Sequence, residues 1–171
     1  SMAQWASAFA ESALGFSKSI GDLIGPCMFA ATMGLSRLLY GKFGHKIKLL
    51  NFMLGCGTLC LICYLMTAIS SLPIFGLLGC ILCGFSVGIM WPGSISISSA
   101  RMPLGGTALF ALLAMGGDLG ASIGPSVIGI FTQNANDNMK AGMLAGIVFP
   151  ILLNIAICSI KLFIPTSKRD T

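Results

Sequence analysis

One carboxylate in this chain is placed to do chemistry. Asp118, in MGGDLGASIGP, sits near the middle of a long run with no other charge. In hydrocarbon such a charge costs at least about 2.5–3.5 kcal/mol on insertion scales, so it has to face a cavity or a partner. Two readings fit: a carboxyl hydrogen-bonded to neighbouring helices or protonated, or a site for substrate, proton or cation. Gln4, Ser7 and Glu11 share one helical face of the opening stretch SMAQWASAFAESALGF, with Trp5, Phe9 and Phe16 elsewhere. Glu11 is then either a second cavity carboxylate or an end group meeting water. Asp22 suits a helix N-terminus, where the dipole favours negative charge. Trp91-Pro92-Gly93 is followed by SISISS, beginning at Ser94. An aromatic ring beside a kink with hydroxyls after it either lines a polar solute path or anchors Trp91 at the membrane surface.

The other reactive side chains point to packing. Cys56, Cys60 and Cys63 fall on one helical face, and Cys80 and Cys83 have CxxC spacing. A metal centre needs further His or carboxylate ligands, and the one histidine, His45, lies in a basic turn. Cysteine is also a good small apolar packing residue, and buried structural thiols are the favoured reading. No phosphate-binding GKS/T loop, GxSxG elbow or HExxH motif occurs, and the serines lack a histidine partner. No enzyme, cofactor or metal is expected.

Composition says what must position these residues. The chain is 56% hydrophobic and 9% charged, where a soluble domain carries about 25% charged residues. Five segments reach the ~20 residues that cross a bilayer: approximately 20–40, 47–69, 72–100, 106–132 and 139–164. The fold class is an all-α membrane protein, a polytopic transmembrane helix bundle in one domain over 1–171. The opening stretch is short of a span and reads as a helix cut at its beginning, with no signal peptide. The formal charge of +5 comes from loops and tail without interleaved aromatics, so nucleic acid is not a partner; the lipid bilayer is. With the turn after Tyr40 inside, Arg37, Lys42, Lys46, Lys48, Arg101, Lys161, Lys168 and Arg169 fall inside, and Lys18 and Lys140 outside. The positive-inside rule then puts this protein in the cell membrane with a cytoplasmic C-terminus. Small residues recur every four positions at Gly76, Cys80, Gly84 and Gly88, at Gly116, Gly120 and Gly124, and at Gly142 and Gly146. Such seams let helix backbones approach closely. Pro92, Pro125 and Pro150 are expected to interrupt three spans.

The turn GLSRLLYGKFGHK at 34–46 resembles the basic loop between helices eight and nine of major facilitator superfamily transporters. Arg37, Lys42, Gly44 and Lys46 match its pattern, Ala31 and Ser36 stand at the two leading small positions, and Gly41 replaces its acidic residue. GPCMFAATMGLSR and GDLGASIGPSVIG look like helices eight and eleven of that superfamily. GIMWPGSISISSARMP resembles the end of helix ten in its fucose-permease-like branch. The resemblance implies half of such a fold, five full spans plus a truncated first helix, with the N-terminal six-helix half as the missing partner. It also implies two halves rocking around a central site, with Gln4, Glu11, Arg37, Trp91, Ser94 and Asp118 on cavity-facing helices and 47–69 and 139–164 outside as supports. The function implied is cation- or proton-coupled symport of a small polar solute such as a sugar. Two alternatives stand beside it: an exporter of drugs or organic ions from the same superfamily, and a non-transporting membrane scaffold.

The base count makes a topological prediction. With native thiols replaced, cysteines placed near Lys42 and in the C-terminal tail should react with a membrane-impermeant reagent from one side only. Asn136→Cys should react from the other, and labelling of all three from one face would sink the topology.

Overall fold

The computed structural model describes Ser7, Glu11, Gly15 and residues 17–44, 47–69, 72–135 and 139–163. From residue 17 onward the described residues form, in order, α1 (Lys18–Phe43), α2 (Leu49–Ile69), α3 (Pro73–Val87), α4 (Met90–Arg101), α5 (Gly106–Asn134), α6 (Met139–Gly146) and α7 (Val148–Phe163). No strand occurs among the described residues. α3 continues into α4 and α6 into α7 as single rods, each interrupted by a short turn. Among the described residues that leaves five helices long and apolar enough to cross a membrane: Ser19–Phe43, Leu49–Ile69, Ile74–Arg101, Gly106–Asn134 and Lys140–Leu162. They are the five segments that hydropathy and length pick out of the sequence, and they fit a multi-pass membrane protein.

Both interruptions lie three residues ahead of a proline. Proline has no N–H, so the carbonyl four residues earlier loses its helical donor. The turn between α3 and α4 covers Gly88 and Ile89, just before Pro92, and the one at Ile147 precedes Pro150. The expected interruption at Pro125 does not occur, since α5 runs unbroken through it, as α1 does through Pro26.

α2 is the hub, packed on α3, α4, α6 and α7. Its buried stripe holds Met53, Cys56, Gly57, Cys60, Cys63, Tyr64 and Thr67. The opposite stripe, from Asn51 through Gly55, Thr58, Ile62 and Leu65 to Ile69, is exposed. The helix therefore does not simply stand outside as a support. One side of it suits lipid, and the other is the core. Cys60 and Cys63 meet Cys80 and Cys83 of α3 there, with Ile128 and Met143 closing the cluster. The Cys60 and Cys83 sulfurs lie 3.7 Å apart. All the thiols are free.

Two of the glycine seams are filled by neighbouring helices. A methyl on Gly84 would strike the Phe29 carbonyl and the Thr32 hydroxyl, and one on Gly88 would come within 2.6 Å of the Met33 carbonyl. These glycines let α1 lie directly on the α3–α4 rod, where Thr32 Oγ1 donates to the Ile81 carbonyl at 2.7 Å. Gly142 and Gly146 let α6 close on Ile128 of α5 in the same way. The third seam is filled only at its end: Gly124 is buried, but Gly116 and Gly120 have nothing within 4 Å. None of the most apolar stretch of α5 is buried, against 44% for α2.

Close approach at Gly84 gives a direct expectation. Gly84→Leu should lower the thermal midpoint in detergent, since overpacking costs about 1–3 kcal/mol. Gly55→Leu, at an exposed position where an added Cβ meets nothing within 4 Å, should leave it unchanged. Equal midpoints for the two variants would contradict the α1–α3 contact.

Candidate functional site

Asp118 is exposed on α5, twelve residues after Gly106 and so about 18 Å along the helix. At about 100° per residue, Asp118, Ser122, Ser126 and Gln133 share a sector of about 80°. Gly117, Gly124, Ile128 and Thr132 form the packed side. Leu112, Leu119, Ile123 and Ile130, all at least half exposed, form a third, apolar side. Ser122 Oγ donates to the Asp118 carbonyl at 3.0 Å and Ser126 Oγ to the Ser122 carbonyl at 2.8 Å. Each hydroxyl proton is used within the helix, which leaves oxygen lone pairs facing outward. A carboxylate followed by acceptor oxygens cannot be solvated by acyl chains. The stripe needs water, a cation or a polar partner.

The glycines beside Asp118 do not open a pocket around it. Gly117 is covered by Trp91, whose ring lies 3.1 Å from where a Cβ would be. Gly116 and Gly120 are open but project on the far side of α5 from Asp118. Trp91 is 45% exposed. It lies ten residues before the end of α4, about 15 Å inside, at a depth shared with the middle of α5 and away from the helix ends where aromatic belts form. Ser94, half-buried, turns its hydroxyl back to the Met90 carbonyl at 2.7 Å. Trp91 and Asp118 thus come to adjoining positions through the α4–α5 contact at Gly117.

A second constellation surrounds Arg37, which is a helical residue and not part of a turn. It stands six residues before the end of α1, and side chains on a helix lean toward its N-terminus, here toward the membrane interior. Its Nε donates to the Gly88 carbonyl at 2.9 Å. Gly88 is four residues before Pro92, so this carbonyl is the one that proline deprives of a donor. The neighbouring Ile89 carbonyl is already taken by the Gly93 N–H at 2.8 Å. Ser36, fully buried, packs on Gly88, and its hydroxyl has no hydrogen-bond partner. Proline chemistry marks the Gly88 carbonyl from the sequence alone. Nothing in the sequence says that Arg37, on another helix, satisfies it.

The rest of the basic motif is peripheral. Lys42 is exposed in the last turn of α1, its Nζ 5.7 Å from the centroid of the Phe43 ring. Gly44 closes α1, its N–H bonding the Tyr40 carbonyl at 2.6 Å. Lys46 and His45 lie outside the described residues, as does Gln4. Arg101 ends α4 with both terminal nitrogens buried and without an acceptor. Glu11 is exposed, and its backbone, with that of Ser7, packs over Gly21 of α1. Asp22 is past the first turn of α1, which holds no acidic residue. Its partner is the Ser7 hydroxyl, which donates to its carboxylate, and not a helix N-terminus. Among the described residues no group of three His, Cys, Asp or Glu is arranged to hold a metal.

The Trp91–Gly117 contact is open to spectroscopy. With Trp5→Phe leaving one indole, Gly117→Val should push Trp91 off α5, shift its emission and raise its quenching by acrylamide. Unchanged emission and quenching would mean that the two helices do not meet there.

No family model matches the chain, and neither does any curated protein or solved structure, so its function has to be read from its own side chains.

Proposed function

We propose that this chain is the C-terminal half of a secondary active transporter of the major facilitator kind, which carries a small polar solute across the cell membrane by alternating access. It is a carrier and not an enzyme. The C-terminus lies in the cytoplasm, as the bias of bases toward one end of the bundle favours. The observation that carries the proposal is the exposed polar stripe of α5. A mid-span carboxylate and outward-facing hydroxyl oxygens lie on α5, the least buried of the described spans, and the half-exposed Trp91 indole of α4 adjoins them at Gly117. In a bilayer such a surface is stable only against water or another polypeptide. A second six-helix half across a water-filled site supplies both.

Asp118 is then the group that couples the solute to a proton or cation. A solute bound near Trp91 finds an apolar ring face and, on the next helix, acceptor oxygens for its hydroxyls. That combination suits sugars and related metabolites.

The test is uptake by the full-length protein in cells or vesicles, using labelled hexoses and polyols at two external pH values. Asp118→Asn keeps the side chain's shape and is cheaper to bury. It should reach the membrane in normal amount and lose pH-driven accumulation, while the wild type accumulates more at the lower external pH. Unaltered pH dependence in the Asn variant would refute the coupling role.

A further inference from the structure

We infer that Arg37 is a positioning residue for α4: through the Gly88 carbonyl it holds the turn between α3 and α4 from which Trp91 is presented at the proposed solute path. The inference starts from a count of donors. Helix geometry assigns the Gly88 carbonyl to the N–H of residue 92, and that residue is proline. In water the vacancy would be filled by solvent. In the interior of a membrane protein a neighbouring side chain has to fill it.

Arg37 does so from α1, and the packing around the bond shows that the site is built for it. Gly88 carries no side chain where α1 passes, and a methyl there would lie 2.8 Å from Ser36 Cβ. One helical turn before Gly88, Gly84 admits the Thr32 hydroxyl, which holds the Ile81 carbonyl. α1 therefore grips the rod on both sides of its last α3 turn, once through a hydroxyl and once through a guanidinium. The α4 segment begins two residues after Gly88 with Met90, and Trp91 follows. Whatever fixes the Gly88 carbonyl fixes the angle at which that indole leaves the turn.

A charged donor on a neutral carbonyl is also a releasable one. Nε makes the bond, while Arg37 as a whole stays exposed. The guanidinium fork thus keeps donors free for another acceptor as the helices move. Lysine also has three donors, but all on one nitrogen, without the planar fork that separates the bonded Nε–H from the outward-facing ones.

The role in transport rests on the carrier reading above, but the bond itself is tested without it. In the full-length protein with every tryptophan but Trp91 replaced by Phe, Arg37→Met keeps the stem and removes the donor. It should shift Trp91 emission, raise acrylamide quenching and lower the folded-to-unfolded ratio about tenfold, as for a lost hydrogen bond from a charged donor. Pro92→Ala restores an N–H to the Gly88 carbonyl, so in that background Arg37→Met should change neither Trp91 nor stability. If Arg37→Met alone is too unstable to purify, its recovery by Pro92→Ala is the same result in another form. Equal effects of Arg37→Met in both backgrounds, or no effect in either, would overturn the inference. Solute uptake adds a separate arm. A displaced Trp91 with lowered maximal uptake supports both readings. A displaced Trp91 with unchanged uptake leaves the positioning role standing and removes Trp91 from the solute path.

Discussion

Inside a bilayer no water is available to rescue an unpaired backbone group, and much of this bundle is arranged around one carbonyl that proline leaves unpaired. Pro92 takes the donor from Gly88, the rod is interrupted there between α3 and α4, and Arg37 reaches across from α1 to supply the missing hydrogen bond. Three features follow from that repair. Gly84 and Gly88 must lack side chains so that α1 can come close enough. Arg37 must sit within the helix and not in the turn after it. Trp91, just past the turn, leaves the rod where it meets Gly117 of α5. The other prolines are accommodated more simply: Pro150 by a second turn at Ile147, and Pro26 and Pro125 within continuous helices.

Burial divides the bundle into a packed side and an open one. α2, with the thiols of α3 pressed against it, gives the core its density. Cysteine serves there as a small polarizable filler where two helices lie close. α5 touches the rest mainly through the turn at Ile128 and Thr132, packed over Gly142, and through Gly117. The remainder of its surface is exposed and uneven, with an apolar side of Leu112, Leu119, Ile123 and Ile130 and a polar side beginning at Asp118. Lipid can cover the first but not the second. The same asymmetry separates Arg37 from Asp118. The Arg37 Nε is spent on structure, and Asp118 is free of any such duty.

The spans were legible in the sequence because length and hydropathy need no tertiary information: 106–132 becomes Gly106–Asn134, and 47–69 becomes Leu49–Ile69. The interruptions were half legible. A proline marks its orphaned carbonyl, but whether the helix breaks depends on what stands nearby, which is why Pro92 and Pro125 differ. Small-residue spacing identified three seams and could not say which would be filled. Gly84 and Gly88 meet α1, whereas Gly116 and Gly120 meet nothing. Arg37 and Asp22 were misplaced for one reason. Local rules put basic residues in turns and acidic residues at helix starts, while their actual partners, the Gly88 carbonyl and the Ser7 hydroxyl, are distant in sequence. Asp118 was found by cost alone, since a charge in the middle of an apolar run is conspicuous whatever surrounds it.

The central claim is that the Asp118 side of α5 faces water within the membrane. Spin labels placed singly along residues 112–133 of the full-length protein in liposomes measure this directly, through collision with a water-soluble nickel chelate and with membrane-dissolved oxygen. The account expects nickel contact to peak at positions 118, 122, 126 and 133, and oxygen contact to peak at 112, 119, 123 and 130. Oxygen contact dominating at all eight positions would place Asp118 against lipid and contradict it.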